Sequence, residues 1–167
     1  MTWIDAPPSG DTDWERLASI CPEAFDALAG LIGAAWQDVD PVLVELCRLR
    51  IATLLGNTAE LARHSDRARA AGLTDAKIAA LPSWPTSPGF SAAERSCLAV
   101  AEQFVIDANG VTEGQVAELC EHLGAAGCYA FVQAVSALET FQRACLTLGV
   151  QSAPPVDRLA TMREGNR

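Results

Sequence analysis

Three side chains that can carry a proton, Glu45, Glu60 and His64, occur in one short stretch of the chain. A Gly-Asn turn at Gly56 separates two helical segments, which predicts an antiparallel helical hairpin. From the helical rise per residue, Glu45 lies about 16 Å and His64 about 12 Å from the turn, at similar depth on facing helices. Glu60 precedes His64 by one helical turn, where its carboxylate can orient the imidazole. This convergence predicts a site for general acid/base catalysis.

The same residues also fit structural roles. Glu45 is the only acid of an otherwise apolar helix, and Arg48, one turn along, would form an ordinary ion pair with it. Asn57 followed by Glu60 just after a glycine is the pattern of a capping box, in which Glu60 reaches back to the Asn57 backbone amide. His64 would then be a partly exposed helix histidine. The spacing alone leaves the catalytic and the structural interpretations open.

The elements that must hold these residues have clear helical start and stop signals. Apolar residues at helical spacing follow a proline at position 22 and extend to Trp36. Asp40 is expected to cap the next helix and Gly56 to end it. The helix after that, which carries the histidine, is expected to continue to about Gly72.

The second half of the chain follows the same pattern. Two later helices are predicted to begin with capping boxes, at Ser91–Glu94 and Thr112–Gln115, and a last helix is expected over residues 126–148. No segment alternates apolar and polar residues with a period of two. The predicted fold class is therefore all-α, a bundle of six or seven helices. We assign residues 1–150 to a single domain and residues 151–167 to a loosely held C-terminal tail.

Charge and hydropathy exclude several function classes. The net charge is −9, with 21 acidic and 12 basic residues, which argues against a nucleic acid partner. The longest run without a charged residue, residues 123–138, falls short of the ~20 apolar residues that a membrane helix needs and is expected to be a buried helix. The N-terminus has acids and prolines where a secretory signal would have a basic start and an apolar run. These features predict a cytoplasmic protein with no membrane partner.

The cysteine and histidine pattern predicts neither a metal site nor a bound cofactor. Six cysteines are scattered along the chain without a C-x-x-C pair, and only two histidines accompany them. Such cysteines usually pack as small core hydrophobes. Half of all residues are hydrophobic, which is more than a small helical domain readily buries. We therefore expect a homo-oligomer, either a dimer or a trimer.

The spacing of four of these residues resembles a known family signature. The alkylhydroperoxidase D-like / carboxymuconolactone decarboxylase family has the pattern Glu-x11-Cys-x2-Cys-x3-His. This chain has the same spacing, with Glu45, Asn57, Glu60 and His64 at the four positions. The glutamate and the histidine are present, and both cysteine positions are changed. The resemblance covers roughly residues 40 to 150 and implies the helical bundle of that family.

The resemblance argues against the family's thiol chemistry in this chain. In the peroxidase branch the second cysteine attacks the peroxide and the first closes a disulfide with it, while the glutamate and histidine relay protons. Glu60 occupies the position of the cysteine that attacks the peroxide. Asn57 occupies the position of the cysteine that closes the disulfide, so neither step can occur.

The thiol-free decarboxylase branch, which the segment ELARHSDRARAAGLT resembles in particular, implies different chemistry. Its reaction is the loss of CO2 from a β,γ-unsaturated lactone acid, which requires protonation at carbon and no cofactor. The resemblance implies that His64 donates the proton to a small organic acid, with Glu45 or Glu60 setting its protonation state. The expected substrate-binding residues are Arg48, Asn57 and Arg67.

Two other functions stay open on the sequence. The chain could be a related scaffold that has lost its chemistry and has a binding or regulatory role, or a peroxidase that uses a single cysteine. Binding of a small anion separates the enzyme from the scaffold. Sensitivity to thiol alkylation separates the peroxidase from both.

Overall fold

The computed structural model of the chain describes residues 13–150, and the predicted tail, residues 151–167, lies outside them. The described residues form helices joined by short turns and contain no β-strand, which confirms the predicted all-α class. The assignment of residues 1–150 to one domain stays a prediction. The helices are α1 (Asp13–Ile20), α2 (Pro22–Asp38), α3 (Pro41–Leu55), α4 (Thr58–Leu61), α5 (Asp66–Ala70), α6 (Asp75–Ala80), α7 (Ala92–Asp107) and α8 (Glu113–Leu148), with short 3-10 turns at Leu81–Ser83 and Ala108–Gly110.

Helix α3 begins and ends where its sequence signals place it. The Asp40 side chain accepts a hydrogen bond from the Val42 amide at 2.7 Å, and Pro41 occupies the first turn, where no helical hydrogen bond is lost. At the other end Gly56 adopts φ 68° and ψ 26°, a left-handed conformation that glycine reaches without a Cβ clash. The chain turns at this glycine, and both α4 and α5 contact α3.

Helices α7 and α8 begin with the predicted capping boxes. Ser91 Oγ accepts from the Glu94 amide at 3.2 Å, and the Ser91 amide donates to Glu94 Oε2 at 2.7 Å. Thr112 and Gln115 make the same reciprocal pair, at 3.2 Å and 2.9 Å. Burial works to raise the pKa of Glu94, but hydrogen bonds from Lys77 and Ser91 outweigh it and hold that pKa below its ordinary value. Each box satisfies two amides that a helix start leaves without partners.

The predicted continuous helix from Asn57 to about Gly72 is wrong. The segment forms two short helices, α4 and α5, and residues 62–65 connect them. His64 lies in this connection, so Glu60 and His64 do not share a helix face. The predicted hairpin therefore brings its residues together with a different local geometry.

Side-chain hydrogen bonds explain why the helix breaks. The carbonyl oxygens of Glu60 and Arg63 accept hydrogen bonds from the buried Arg48 side chain, at 2.9 Å and 2.6 Å. Ser65 has an extended backbone, and its Oγ accepts from the Ala68 amide at 3.2 Å. A side chain that binds the backbone in this way offers an alternative to helix continuation. The segment therefore ends one helix at Leu61 and starts another at Asp66.

The last predicted helix, residues 126–148, lies within the longer element α8. A break at Gly124, with φ 71° and ψ 167°, separates it from the part of α8 that begins after Thr112. Only glycine adopts this backbone conformation without strain.

Helix α3 lies against α2, α7 and α8. It is buried on most sides, as its nearly continuous apolar sequence predicts. Its buried apolar residues are Leu43, Val44, Leu46, Cys47, Leu49, Ile51 and Ala52. Glu45 and Arg48 lie among them on the same helix, so their charges are held inside the core.

Within residues 13–150, no helix combines the length and the apolar character needed to span a bilayer. Several large apolar side chains of α7 and α8 nevertheless face solvent in the single chain. They include Ile106, Val116, Tyr129 and Leu146.

We expect these exposed side chains to contribute to contacts between copies of the chain. Tyr129 is 69% exposed, and most of its neighbours in the uncharged run 123–138 are small or apolar. The expected assembly is a homodimer or homotrimer. Light scattering at micromolar concentration measures its mass, and a mass equal to one chain would contradict this prediction.

Candidate functional site

Arg48 is the centre of a buried group of charges. Its Nε and Nη2 donate to the two carboxylate oxygens of Glu45 at 2.7 Å and 2.8 Å, a bidentate pair within α3. Its Nη1 donates to Glu60 Oε2 at 2.7 Å. Burial works to lower the pKa of Arg48, but the hydrogen bonds and charges of Glu45 and Glu60 outweigh it and raise that pKa above its ordinary value. Arg48 is therefore a permanent cation between two carboxylates.

The remaining Arg48 donors bind the backbone of the next segment. Nη1 and Nη2 reach the carbonyl oxygens of Glu60 and Arg63, as described for the helix break. A guanidinium has five N–H groups, and together these contacts occupy all of them. Arg48 thus has no donor left for a bound anion.

Glu60 is also enclosed by cations. Its Oε2 accepts from Arg48, and its Oε1 accepts from Arg63 Nη1 at 2.9 Å. The Glu60 amide donates to Asn57 Oδ1 at 3.2 Å, so Asn57 caps α4. The Asn57 amide, however, donates to the Ala52 carbonyl at 2.8 Å. The capping interpretation therefore describes Asn57, whereas the Glu60 carboxylate belongs to the charge network.

Glu45 and His64 meet at the edge of this network. Glu45 is fully buried, and its Oε1 also accepts from the Ser65 amide at 3.0 Å. The Nδ1 atom of His64 lies 3.9 Å from the same oxygen, a distance that makes an ion pair when the imidazole is protonated. The His64 side chain is 33% exposed. The site thus places one accessible imidazole beside a fixed, buried carboxylate.

The formal charges of this network cancel. Glu45 and Glu60 carry two negative charges, and Arg48 and Arg63 carry two positive charges. A protonated His64 would add one positive charge at the exposed edge. In the described residues, no group of three histidine, cysteine, aspartate or glutamate side chains could hold a metal ion.

Five of the six residues expected from the sequence come together here. They are Glu45, Arg48, Asn57, Glu60 and His64. Arg67, the sixth, is exposed on α5, three residues beyond His64, and is not part of the hydrogen-bonded network.

The segment that carries this network also carries the family match. Residues 22–103 match the carboxymuconolactone decarboxylase family. The chain belongs to this family. In solved structures it is similar to a protein of unknown function from Agrobacterium tumefaciens that has been suggested to be the antioxidant defence protein AhpD. The TM-score is 0.72 at 22% identity over 83% of this chain and 96% of that one, a likeness that shows the fold. No curated protein matches the chain.

Two residues outside the matched segment complete the network, and neither was predicted from the sequence. Gln142 of α8 is fully buried and donates from Nε2 to the Arg48 carbonyl at 2.9 Å. Cys145, one turn further along α8, lies close enough to Glu60 for that charge to add to burial in raising the pKa of its thiol to about 12. Gln142 shares a helix face with Leu138 and Cys145, one turn away on either side, which was the available signal, because a buried amide needs a partner.

Ser65 and Arg63 were also missed, although both flank the histidine. Each contacts a carboxylate of the network, Ser65 through its amide and Arg63 through its side chain. Their contacts follow from the break between α4 and α5. A continuous helix would have directed them elsewhere.

This family member should not act as a dithiol peroxidase. Positions 57 and 60 carry no thiol, and burial raises the pKa of Cys97 to about 12 and that of Cys47 well above its ordinary value. Buried thiols of this kind supply little thiolate for attack on a peroxide. We expect no catalytic turnover of an alkyl hydroperoxide with dithiothreitol as reductant, and no loss of function after alkylation of accessible cysteines. Robust turnover that disappears in a single Cys→Ser variant would instead indicate a one-cysteine peroxidase.

Proposed function

We propose that the protein is a cofactor-free acid/base enzyme that acts on a small organic acid, with His64 as the group that transfers the proton. The observation that carries this proposal is the position of His64, partly exposed and 3.9 Å from Glu45 Oε1. Glu45 and Glu60, the other two proton-carrying side chains, are buried. Of these three groups, the imidazole is the one that a substrate from solvent can reach.

Glu45 is a positioning residue in this proposal, because it acts through the imidazole. Its carboxylate is fixed by Arg48 and by the Ser65 amide and cannot turn away. A carboxylate held beside Nδ1 orients the imidazole ring. Arg48 in turn fixes the position of the carboxylate through two hydrogen bonds. The buried network thus supports a proton donor at its exposed edge.

The reaction that fits best is decarboxylation of a β,γ-unsaturated acid, the class that the family's name indicates. The bond between the substrate carboxylate and its neighbouring carbon breaks, and CO2 leaves. The electron pair of that bond forms a new double bond, while the former double bond takes a proton at its far carbon. His64 supplies this proton and regains one from water. The step needs no electron acceptor, so no redox cofactor enters the balance.

Arg67 is the residue that we assign to the substrate carboxylate. It is exposed on α5 three residues from His64, whereas every Arg48 donor is occupied inside the protein. Asn57 is buried, so we assign it to the start of α4 and not to the substrate. Arg48 itself is assigned to support of the site.

Turnover of β,γ-unsaturated carboxylic acids, carboxymuconolactone among them, tests the proposal through the release of CO2. Arg67→Gln should raise KM roughly tenfold, since a charge-assisted hydrogen bond is lost, and change kcat little. Arg69→Gln is the matched control, because Arg69 lies on the same helix and forms an exposed ion pair with Asp75. Absence of turnover with every acid of this class would contradict the proposal.

A second candidate is a binding or regulatory scaffold without chemistry. It is favoured by the neutral, hydrogen-bonded arrangement of two carboxylates with two guanidinium groups, which is also what a structural ion-pair network requires; the four residues are Glu45, Glu60, Arg48 and Arg63. A scaffold would bind a saturated lactone acid without releasing CO2 from its unsaturated counterpart. Calorimetry with the first compound and CO2 detection with the second separate the two functions.

A further inference from the structure

The backbone on both sides of His64 is anchored to the Arg48–Glu45 ion pair. On one side the Arg63 carbonyl, which belongs to the peptide group before His64, accepts from Arg48 Nη2 at 2.6 Å. On the other side the Ser65 amide, which belongs to the peptide group after His64, donates to Glu45 Oε1 at 3.0 Å. The two partners of one buried ion pair thus hold the two peptide groups that flank the histidine.

Ser65 adds another anchor through its side chain. The residue is buried, and its Oγ accepts from the Ala68 amide at 3.2 Å, which caps the first turn of α5. Ala68 is fully buried, so this cap lies where α5 packs on the core. Arg67, assigned above to the substrate carboxylate, is in the same turn of α5. Ser65 is therefore bound to Glu45 through its amide and to the helix that carries Arg67 through its hydroxyl.

The hydroxyl matters here because α5 is short. The helix has five residues, Asp66–Ala70, and a helix of that length has little stability of its own. Its direction depends on contacts at its ends and on its packing. Loss of the Ser65 hydroxyl leaves the Ala68 amide without its acceptor, so the first turn of α5 opens more often.

We propose that Ser65 is a positioning residue, which sets the position of Arg67 relative to the imidazole of His64. Its amide holds the chain beside Glu45, and its hydroxyl fixes the direction in which α5 leaves the site. In an acid substrate the carboxylate and the carbon to be protonated are a set distance apart, so a shift of α5 lowers the rate. The role of this distance in catalysis rests on the proposed function, whereas the anchoring itself does not.

The anchoring is tested in the free protein by NMR. Ser65→Ala should speed hydrogen exchange of the amides at positions 65 and 68 about fivefold, the loss that a missing cap predicts, and shift the ring resonances of His64. Thr74→Ala is the matched control, because Thr74 Oγ1 caps α6 by accepting from the Lys77 amide, also at 3.2 Å. This control should leave the His64 ring and the amide at position 65 unchanged. Unchanged exchange and an unchanged His64 ring in Ser65→Ala would overturn the proposal.

The role in catalysis is tested by the release of CO2 from a β,γ-unsaturated acid. Ser65→Ala should lower kcat about tenfold and raise KM, because both the donor and the carboxylate-binding residue lose their alignment. Ser65→Thr keeps a capping hydroxyl and should stay within about threefold of the unmodified protein, as should Thr74→Ala. If the extra methyl group prevents folding of Ser65→Thr, Ser65→Asn replaces it as the capping variant.

The two measurements separate failure of this inference from failure of the proposed function. Equal kcat and KM in Ser65→Ala and the unmodified protein would overturn the positioning role while leaving the reaction in place. The expected NMR changes in a protein that turns over no acid of this class would contradict the proposed function and support the anchoring by Ser65.

Discussion

Replacing Arg48 by methionine should lower the free energy of unfolding by about 3–5 kcal/mol, the usual cost of removing one partner from a buried ion pair. Arg48 is 3% exposed and is bound to two buried carboxylates. Methionine fills part of the space but leaves Glu45 without its cation and two backbone carbonyls without a donor. Urea denaturation followed by circular dichroism measures the loss.

Arg50, two residues along the same helix, provides the matched control. It forms an ion pair with Glu102 at 2.8 Å, but both side chains are partly exposed. Arg50→Met should therefore cost no more than about 1 kcal/mol. Equal losses in the two variants would contradict the view that the network around Arg48 is a buried support for the site.

Replacing His64 by asparagine should lower kcat by about 10²-fold or more, the range that a positioned acid/base group contributes. Stability should change little, because the side chain is partly exposed and its nearest charged partner is 3.9 Å away. His122 is the natural control, since it is the second histidine of the chain and is exposed. His122→Asn should leave kcat within about twofold. A similar kcat for His64→Asn and the unmodified protein would remove His64 from the chemistry.

The local sequence was sufficient to predict most helix ends. Asp40, Gly56 and the two capping boxes act on amides or carbonyls within a few residues, so their effect is visible in a short window. The apolar character of α3 likewise predicted that it lies in the core.

Long-range contacts were beyond the reach of such reasoning. The break before Asp66 depends on Arg48, which binds a carbonyl fifteen residues later in the chain. Gln142 binds the Arg48 carbonyl across ninety-four residues. No periodicity or cap signal encodes either contact, because the first requires α3 to pack against residues 62–65 and the second requires α3 to pack against α8.

The residues of the candidate site could be predicted from the sequence, but their arrangement could not. The spacing of Glu45, Glu60 and His64 brought the three residues to one region, but a helical His64 would have stood above Glu60. In the folded chain His64 is beside Glu45, and Glu60 is enclosed by Arg48 and Arg63. The roles of the two carboxylates could be separated only after the break in the helix was known.

A crystal structure of the protein with a saturated lactone acid, an unreactive analogue of the proposed substrate, tests the central claim most directly. The account predicts that the analogue lies against the exposed edge of His64, with the carbon to be protonated about 3 Å from a ring nitrogen and its carboxylate towards Arg67. An analogue bound elsewhere on the protein, with His64 in contact only with solvent, would contradict the assignment of His64 as the proton donor.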